Sequence, residues 1–282
     1  MRLLVGVDGR QGGEDAGELA RVLCAGAADP RVRLVTVLFP GPLPTEYALL
    51  SEAEISEAGG DVAEPVRQRL AEIPTETLVY GGGSPAGILT RVAEQEEFDA
   101  VVVGSPHRGA LGRVLIGNVA GSLLNGASTD VAVAPKGYAE AEHRTFRKIA
   151  VGYDGSAEAD AALRRAEALA RPVGARLEVV TVVSPPVGPP PMVPGVYAPQ
   201  LPPEPQQVID RGVEAVEADL TVEGIRLDGD PAMELLRHCE GDVDLLVLGS
   251  RGYGPLSRVL LGSVSHKVVT DAPCPVLVAK RP

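Results

Sequence analysis

Tryptophan is absent from the 282 residues, and aromatics make up only 3% of them. A core in this chain must therefore draw its apolar burial from Val, Leu, Ile and Ala. Cysteine is scarce as well: Cys24, Cys239 and Cys274 are the whole set. The odd count and the lack of any Cys-x-x-Cys spacing exclude a disulfide framework and a zinc knuckle. The three thiols are expected to be small buried hydrophobes. The four histidines, His107, His143, His238 and His266, form no metal-spaced pair. Positive charge is in deficit, with 26 Lys and Arg against 38 Asp and Glu and a net charge of −12. Residues 1–140 hold 11 basic and 19 acidic side chains, and residues 141–282 hold 15 and 19. Neither half offers the basic face that duplex nucleic acid requires. Long hydrophobic runs are missing too. A segment such as EVVTVV, Glu178 to Val183, falls far short of the roughly 20 residues that span a bilayer. The opening MRLLVGVDG runs straight into a strand-like segment and is too short for a signal h-region. The expectation is a soluble, cytoplasmic protein with no membrane or nucleic-acid partner.

What the chain does have is an internal repeat. LLVGVDG at Leu3–Gly9 recurs as IAVGYDG at Ile149–Gly155. RLVTVLFP at Arg33–Pro40 recurs as EVVTVVSP at Glu178–Pro185, and DAVVVGS at Asp99–Ser105 as DLLVLGS at Asp244–Ser250. DVAVAPK at Asp130–Lys136 has its counterpart in CPVLVAK at Cys274–Lys280. An offset of 144 to 146 residues is the size of one ordinary domain, not of a short solenoid unit. Two domains are expected, 1–136 and 148–282, joined by the polar stretch Gly137–Lys148.

Within each half, short Val- and Leu-rich runs alternate with Ala-rich helical patterns. In the second half the expected strands are Lys148–Tyr153, Arg176–Val183, Val222–Leu227, Val243–Gly249 and Pro275–Ala279. The expected helices are Ala157–Ala170, Gln206–Leu220, Ala232–Cys239 and Ser263–Thr270. The strands are continuous apolar runs, as they are when both sheet faces are covered. The fold class is α/β: two tandem, doubly wound, parallel five-stranded sheets of strand order 3-2-1-4-5, Rossmann-like. The closing strands, Val131–Ala134 and Val276–Ala279, are apolar edges, and an unpaired edge invites pairing. The halves are therefore expected to pair within the chain as a pseudo-dimer, with homodimerisation left open. One segment breaks the repeat: Ser184–Pro205 holds ten prolines in 22 residues and cannot be a regular helix or central strand. A surface crossover is the favoured reading; a lid or a docking site for a Pro-reading partner is the alternative.

The loops that carry chemistry are GSRGYGPLSRVLLGS, Gly249–Ser263, and its upstream cousin GSPHRGALGRVLIGN, Gly104–Asn118. In a sheet of order 3-2-1-4-5, ligands sit beyond the carboxyl ends of strands 1 and 4. That places Asp154-Gly155-Ser156 opposite the Gly249 loop. Gly249 and Gly252 let backbone N–H groups approach an anion, and Gly262-Ser263 opens a helix whose N-terminus favours phosphate. The Ser263 hydroxyl can cap that helix, contact phosphate, or both. Asp154 is a good acceptor for ribose hydroxyls. Taken singly, each residue has a simpler reading as a turn or a cap; the conjunction is what points to a nucleotide.

At these residues the chain resembles the universal stress protein family, in tandem form, over nearly its whole length. VGYDGSAEADAALRRA looks like the family's opening and APCPVLVAK like its closing strand. Gly249-x2-Gly252-x9-Gly262-Ser263 matches the pattern of the family's ATP-binding subgroup. The resemblance implies that Asp154 contacts the nucleoside, that Val182 lines the adenine pocket, and that Gly249, Gly252, Gly262, Ser263 and Val264 hold phosphates. In the first half Asp8, Val37, Gly104, Gly117 and Asn118 occupy the matching places, but His107 replaces Gly252 and Asn118 replaces Ser263. Mg²⁺ is compatible with ATP, though the sequence shows no ligand set for it.

No Gly-x-Ser-x-Gly elbow, His-Glu-x-x-His or Walker lysine occurs. Arg251 and Arg258 could touch phosphate, but an Arg on a loop or helix is usually just solvated. Phosphoryl transfer needs positioned metal and charge clamps. Three readings stay open: an ATP-binding stress or regulatory protein with little or no catalysis, an interaction scaffold whose nucleotide is structural or absent, and a slow ATPase.

Overall fold

The computed structural model describes residues 1–40, 51–105, 117–126, 128–141, 145–184, 204–250 and 262–280. In the first half the elements run β1 Arg2–Val7, α1 Gln11–Leu23, β2 Arg31–Pro40, α2 Glu52–Arg69, β3 Thr75–Gly83, α3 Pro85–Gln95, β4 Ala100–Gly104, α4 Asn118–Gly126 and β5 Asp130–Ala134. The second half repeats the order: β6 Lys148–Gly152, α5 Ala157–Ala170, β7 Arg176–Val183, α6 Pro205–Glu214, β8 Val222–Asp228, α7 Pro231–Cys239, β9 Leu245–Gly249, α8 Ser263–Asp271 and β10 Val276–Ala279.

The strands form one ten-stranded sheet of order β3-β2-β1-β4-β5-β10-β9-β6-β7-β8. Each half thus has the order 3-2-1-4-5, but the expected pair of separate sheets is a single sheet. The reason lies at the closing strands. β5 and β10 are short, fully buried, Val-rich segments, and each would otherwise leave a bare edge. They pair antiparallel, Val276 opposite Val133, Leu277 opposite Ala132 and Val278 opposite Val131. All other pairs are parallel.

Alternation along the strands sends side chains to two faces. Leu3, Val5, Ile149, Val151, Leu177 and Leu277 pack on the face that carries α1 and α5. Leu4, Val101, Val133, Leu246, Val276 and Val278 pack on the face that carries α3, α4, α7 and α8. Both clusters run across the seam, so the halves share their core. Cys24, Cys239 and Cys274 are buried and unpaired by disulfides, and burial pushes the Cys24 thiol up to about 11.

Polar contacts clasp the seam. The buried carboxylate of Asp130 on β5 accepts from Lys280 N at 2.8 Å and pairs with Arg165 of α5. On α1, buried Asp15 accepts from Gly137 N and Ala139 N, each at 2.9 Å. One helix ends earlier than its periodicity suggests. α6 stops at Glu214, not Leu220, because Glu217 N donates to Glu167 Oε1 at 3.0 Å instead of continuing the helical ladder. Arg171 also draws Glu217 and Asp219 aside as ion-pair partners. The segment 185–203, most of the Pro-rich stretch, lies outside the described residues.

Candidate functional site

β6 and β9 are neighbours, and both of the loops singled out in the second half leave their carboxyl ends. Between them lies a crevice of about 430 Å³, within the range of small-molecule sites. Its lining includes Asp154, Val182, Gly249, Gly262, Ser263 and Val264. Six positions picked from the sequence therefore meet in one cavity. The seventh in this half, Gly252, lies outside the described residues, as do Arg251 and Arg258.

The walls follow from local chemistry. Val180, Val182, Leu235 and Leu248 supply an apolar side. On the polar side, Asp154 Oδ1 accepts from Ser156 N at 3.0 Å, which closes the turn after β6. Gly155 takes φ +80° there, a conformation that glycine adopts at least cost. Ser156 then caps α5 by accepting from Ala159 N at 3.1 Å. Opposite, α8 begins at Ser263 with Gly262 as its cap residue, and glycine supplies no side-chain cap. Ser263 is thus the first helical residue and not the cap, which corrects one of the two roles open to its hydroxyl. An uncapped helix start of this kind presents backbone N–H groups to the cavity it faces. Ser265 Oγ donates to Gly249 O at 3.0 Å and Gly262 N to Ser250 O at 3.0 Å, fixing α8 against the end of β9.

Gly249 has a second reason to be glycine. A Cβ placed on it would lie 2.8 Å from the backbone of Glu158 on α5. Its place in the sequence pattern is therefore explained in part by helix packing. The same holds more strongly for Gly104, where a Cβ would sit 1.9 Å from the carbonyl oxygen of Gly12 on α1.

In the first half, Asp8 follows β1 and accepts from Arg10 N at 3.1 Å, the same turn as at Asp154. Gly104 ends the adjacent β4. Val37 lies on β2 opposite Tyr80 of β3, where Val182 faces Leu227. Gly117 precedes α4, which opens at Asn118. His107 and Arg113 lie outside the described residues. The helix after Asp8 has Arg10 at its cap position with no side-chain cap bond, where the second half has Ser156.

The sequence reading missed Tyr153 and Ser265 in the crevice wall, along with Pro231, Leu235 and Leu248. It had a signal for the first: Tyr153 replaces Val7 in the repeated VDG/YDG segment. Among the described residues no group of three His, Cys, Asp or Glu side chains could hold a metal ion, and no helix is long and apolar enough to cross a membrane.

The model of the universal stress protein family matches residues 1–135 and again 145–280. The chain belongs to this family. A universal stress protein of Mycobacterium tuberculosis is 28% identical over 308 residues, covering 99% of this chain and 97% of that protein. A shorter relative, from Bacillus subtilis, is 35% identical over 147 residues, which is 48% of this chain and 99% of that one. The solved structure of a universal stress protein from Archaeoglobus fulgidus superposes with a TM-score of 0.76 at 21% identity, covering 100% of this chain and 98% of that one. This last likeness speaks for the tandem fold alone.

Proposed function

We propose that this tandem universal stress protein is an ATP-binding regulatory protein with little or no catalysis. Its two nucleotide-binding units would be 1–136 and 148–282. The observation that carries the reading is the second-half crevice, where an apolar wall, an acidic turn and an uncapped helix start face one space. The three parts suit a base, a ribose and a phosphate chain in that order. Val182 and Leu248 would flank the base, and Asp154 would accept from ribose hydroxyls. Gly249, Gly252, Gly262, Ser263 and Val264 would surround the phosphates, with the α8 start supplying N–H donors. Bound there, ATP would bring a negatively charged phosphate chain, and its γ-phosphate would distinguish it from ADP. The side chains named would hold and orient it.

The test is mass spectrometry of small molecules released from the full chain, followed by ATP titration of the chain and of its Gly262→Val variant. Gly262 has φ −57° and ψ 149°, a backbone any residue adopts, so valine alters the rim without straining the chain. ATP binding to the native chain is expected, with second-site affinity reduced about tenfold or more in the variant. A chain that binds no adenine nucleotide would favour the scaffold reading.

A further inference from the structure

Beside the second crevice, and not lining it, stands Arg211 on α6. Its guanidinium reaches three groups of the neighbouring segment. Nη2 donates to Gly155 O at 2.5 Å, in the turn that follows β6. Nε donates to Tyr153 Oη at 3.1 Å. Nη2 also lies 3.1 and 3.3 Å from the two carboxylate oxygens of Asp160. Tyr153 Oη in turn donates to Asp160 Oδ1 at 2.6 Å, and the guanidinium lies 5.8 Å from the centre of the Tyr153 ring. The Arg211, Tyr153 and Asp160 side chains thus form a closed network around the Asp154-Gly155-Ser156 turn. Planar, multidentate guanidinium contacts hold geometry in a way a single point charge does not.

The first half lacks this arrangement. Val7 stands in place of Tyr153, and with Val62 and Val208 facing Gly9 and Gly155 alike, Pro65 stands in place of Arg211. Glu14, at the repeat position of Asp160, pairs instead with Arg69 of α2 at 3.7 Å.

We infer that Arg211 is a positioning residue for the second site, holding the Asp154 turn in the shape that receives the ribose hydroxyls. The inference rests on the nucleotide reading of that crevice. The Arg211 side chain touches the turn and the wall residue Tyr153, so its effect on a ligand passes through Asp154. Much of it is solvent-facing, with 54% of the side chain exposed. Its removal should therefore leave the fold standing while freeing the turn. The Tyr153 hydroxyl is held protonated by burial and by Asp160, which keeps it a donor to that carboxylate.

The experiment compares ATP with 2′,3′-dideoxy-ATP, which lacks the ribose hydroxyls, by titration of the full chain. An Asp8→Ala background suppresses the first site. The parent is expected to prefer ATP about tenfold. Arg211→Leu should weaken ATP about tenfold and dideoxy-ATP no more than about twofold, so that the preference collapses. Arg211→Lys and Tyr153→Phe, which keep part of the network, should give intermediate ratios. These two variants also answer the case in which the leucine variant fails to fold. Equal weakening of both ligands, or an unchanged ratio, overturns the positioning role. A parent that binds neither ligand overturns the nucleotide reading and the inference with it, whereas a parent that binds both alike leaves nucleotide binding standing and overturns the ribose contact of Asp154 and, with it, the positioning role.

Discussion

The two halves of this chain share a backbone and divide its duties. At one ladder position β2 carries Arg33 and β7 carries Glu178, an exchange of sign at the repeat offset. Arg33 pairs with Glu76 at 2.6 Å and with Glu96. Glu178 pairs with Lys148 at 3.2 Å and with His238 at 2.7 Å. Both clusters sit toward the amino ends of the strands, away from the crevice. The fold requires the charge there to be neutralised, and it is indifferent to which strand bears which sign. Near the crevice the halves part as well. Glu14 stands at the repeat position of Asp160 and pairs with Arg69 at 3.7 Å, whereas Asp160 joins the Arg211 network. The linker is held by the next residue, Asp15, whose counterpart in the second half is Ala161. The duplicated helix thus carries its acidic side chains at shifted positions and for different contacts.

The largest effect that would break this comparison concerns the glycines that end β4 and β9. A methyl group on Gly104 would overlap the Gly12 carbonyl at 1.9 Å, whereas on Gly249 it would meet Glu158 backbone at 2.8 Å. Backbone atoms cannot step aside as flexible side chains do. Gly104→Ala should therefore cost about 3 kcal/mol or more, and Gly249→Ala about 1–2 kcal/mol. Denaturant unfolding of the two variants measures the difference. Equal costs would mean that α1 and α5 approach the sheet alike.

Affinity of the two sites comes next. The first half keeps Asp8, Gly104 and Gly117 but has His107 for Gly252, Asn118 for Ser263, and Val7 for Tyr153. Each change removes one contact or adds one side chain. The expected result is ATP binding about ten- to thirtyfold weaker in the first half, or about 1–2 kcal/mol. Titration of the Gly262→Val chain reports the first site, and titration of the Asp8→Ala chain reports the second. Equal or tighter binding by the first would show that His107 supports the ligand, for instance by pairing with phosphate when protonated.

Much of this arrangement could be read from residues before any coordinates. Arg176–Val183 and Ala157–Ala170 have the expected boundaries because apolar continuity and helix-forming side chains agree there with the tertiary surroundings. The parallel, doubly wound sheet of each half followed from the alternation of elements. The pairing of the halves through the closing strands Val131–Ala134 and Val276–Ala279 was also expected from their apolar edges. Two things were not legible. The end of α6 depends on Glu167 and Arg171, which lie more than 40 residues away in sequence. The Arg211 contacts cross 51 to 58 residues, and an exposed Arg on a helix has no local signature that separates it from a solvated one.

The smallest expected effect is on acid stability, and it also separates the halves. In the first, Glu54 is held below its ordinary range by the Ser51 backbone and hydroxyl, and Glu64 by Gln68 and Arg67. These three partner residues lie on α2 or at its cap. In the second, Asp230 is lowered by Met233 N–H, which it caps, and by Lys267 of the neighbouring α8. Asp242 is lowered by Lys148 of β6. A carboxyl group whose folded pKa lies below its unfolded one stabilises the fold above the ordinary carboxylate range. That contribution fades as pH falls through the depressed value. The thermal midpoint should therefore stay level from pH 7 to about pH 5 and decline below about pH 4. Because all four groups are exposed, the decline from these pairs should be shallow and further reduced by salt. The halves differ in what is lost. Protonating Glu54 and Glu64 frays one helix, whereas protonating Asp230 and Asp242 loosens contacts between elements around the crevice and the base of β6. Asp230→Asn and Asp242→Asn together should therefore flatten the acid slope of the midpoint more than Glu54→Gln with Glu64→Gln. A midpoint that rises on acidification, or an acid slope unaltered by either pair, would show that these carboxylates are not linked to folding.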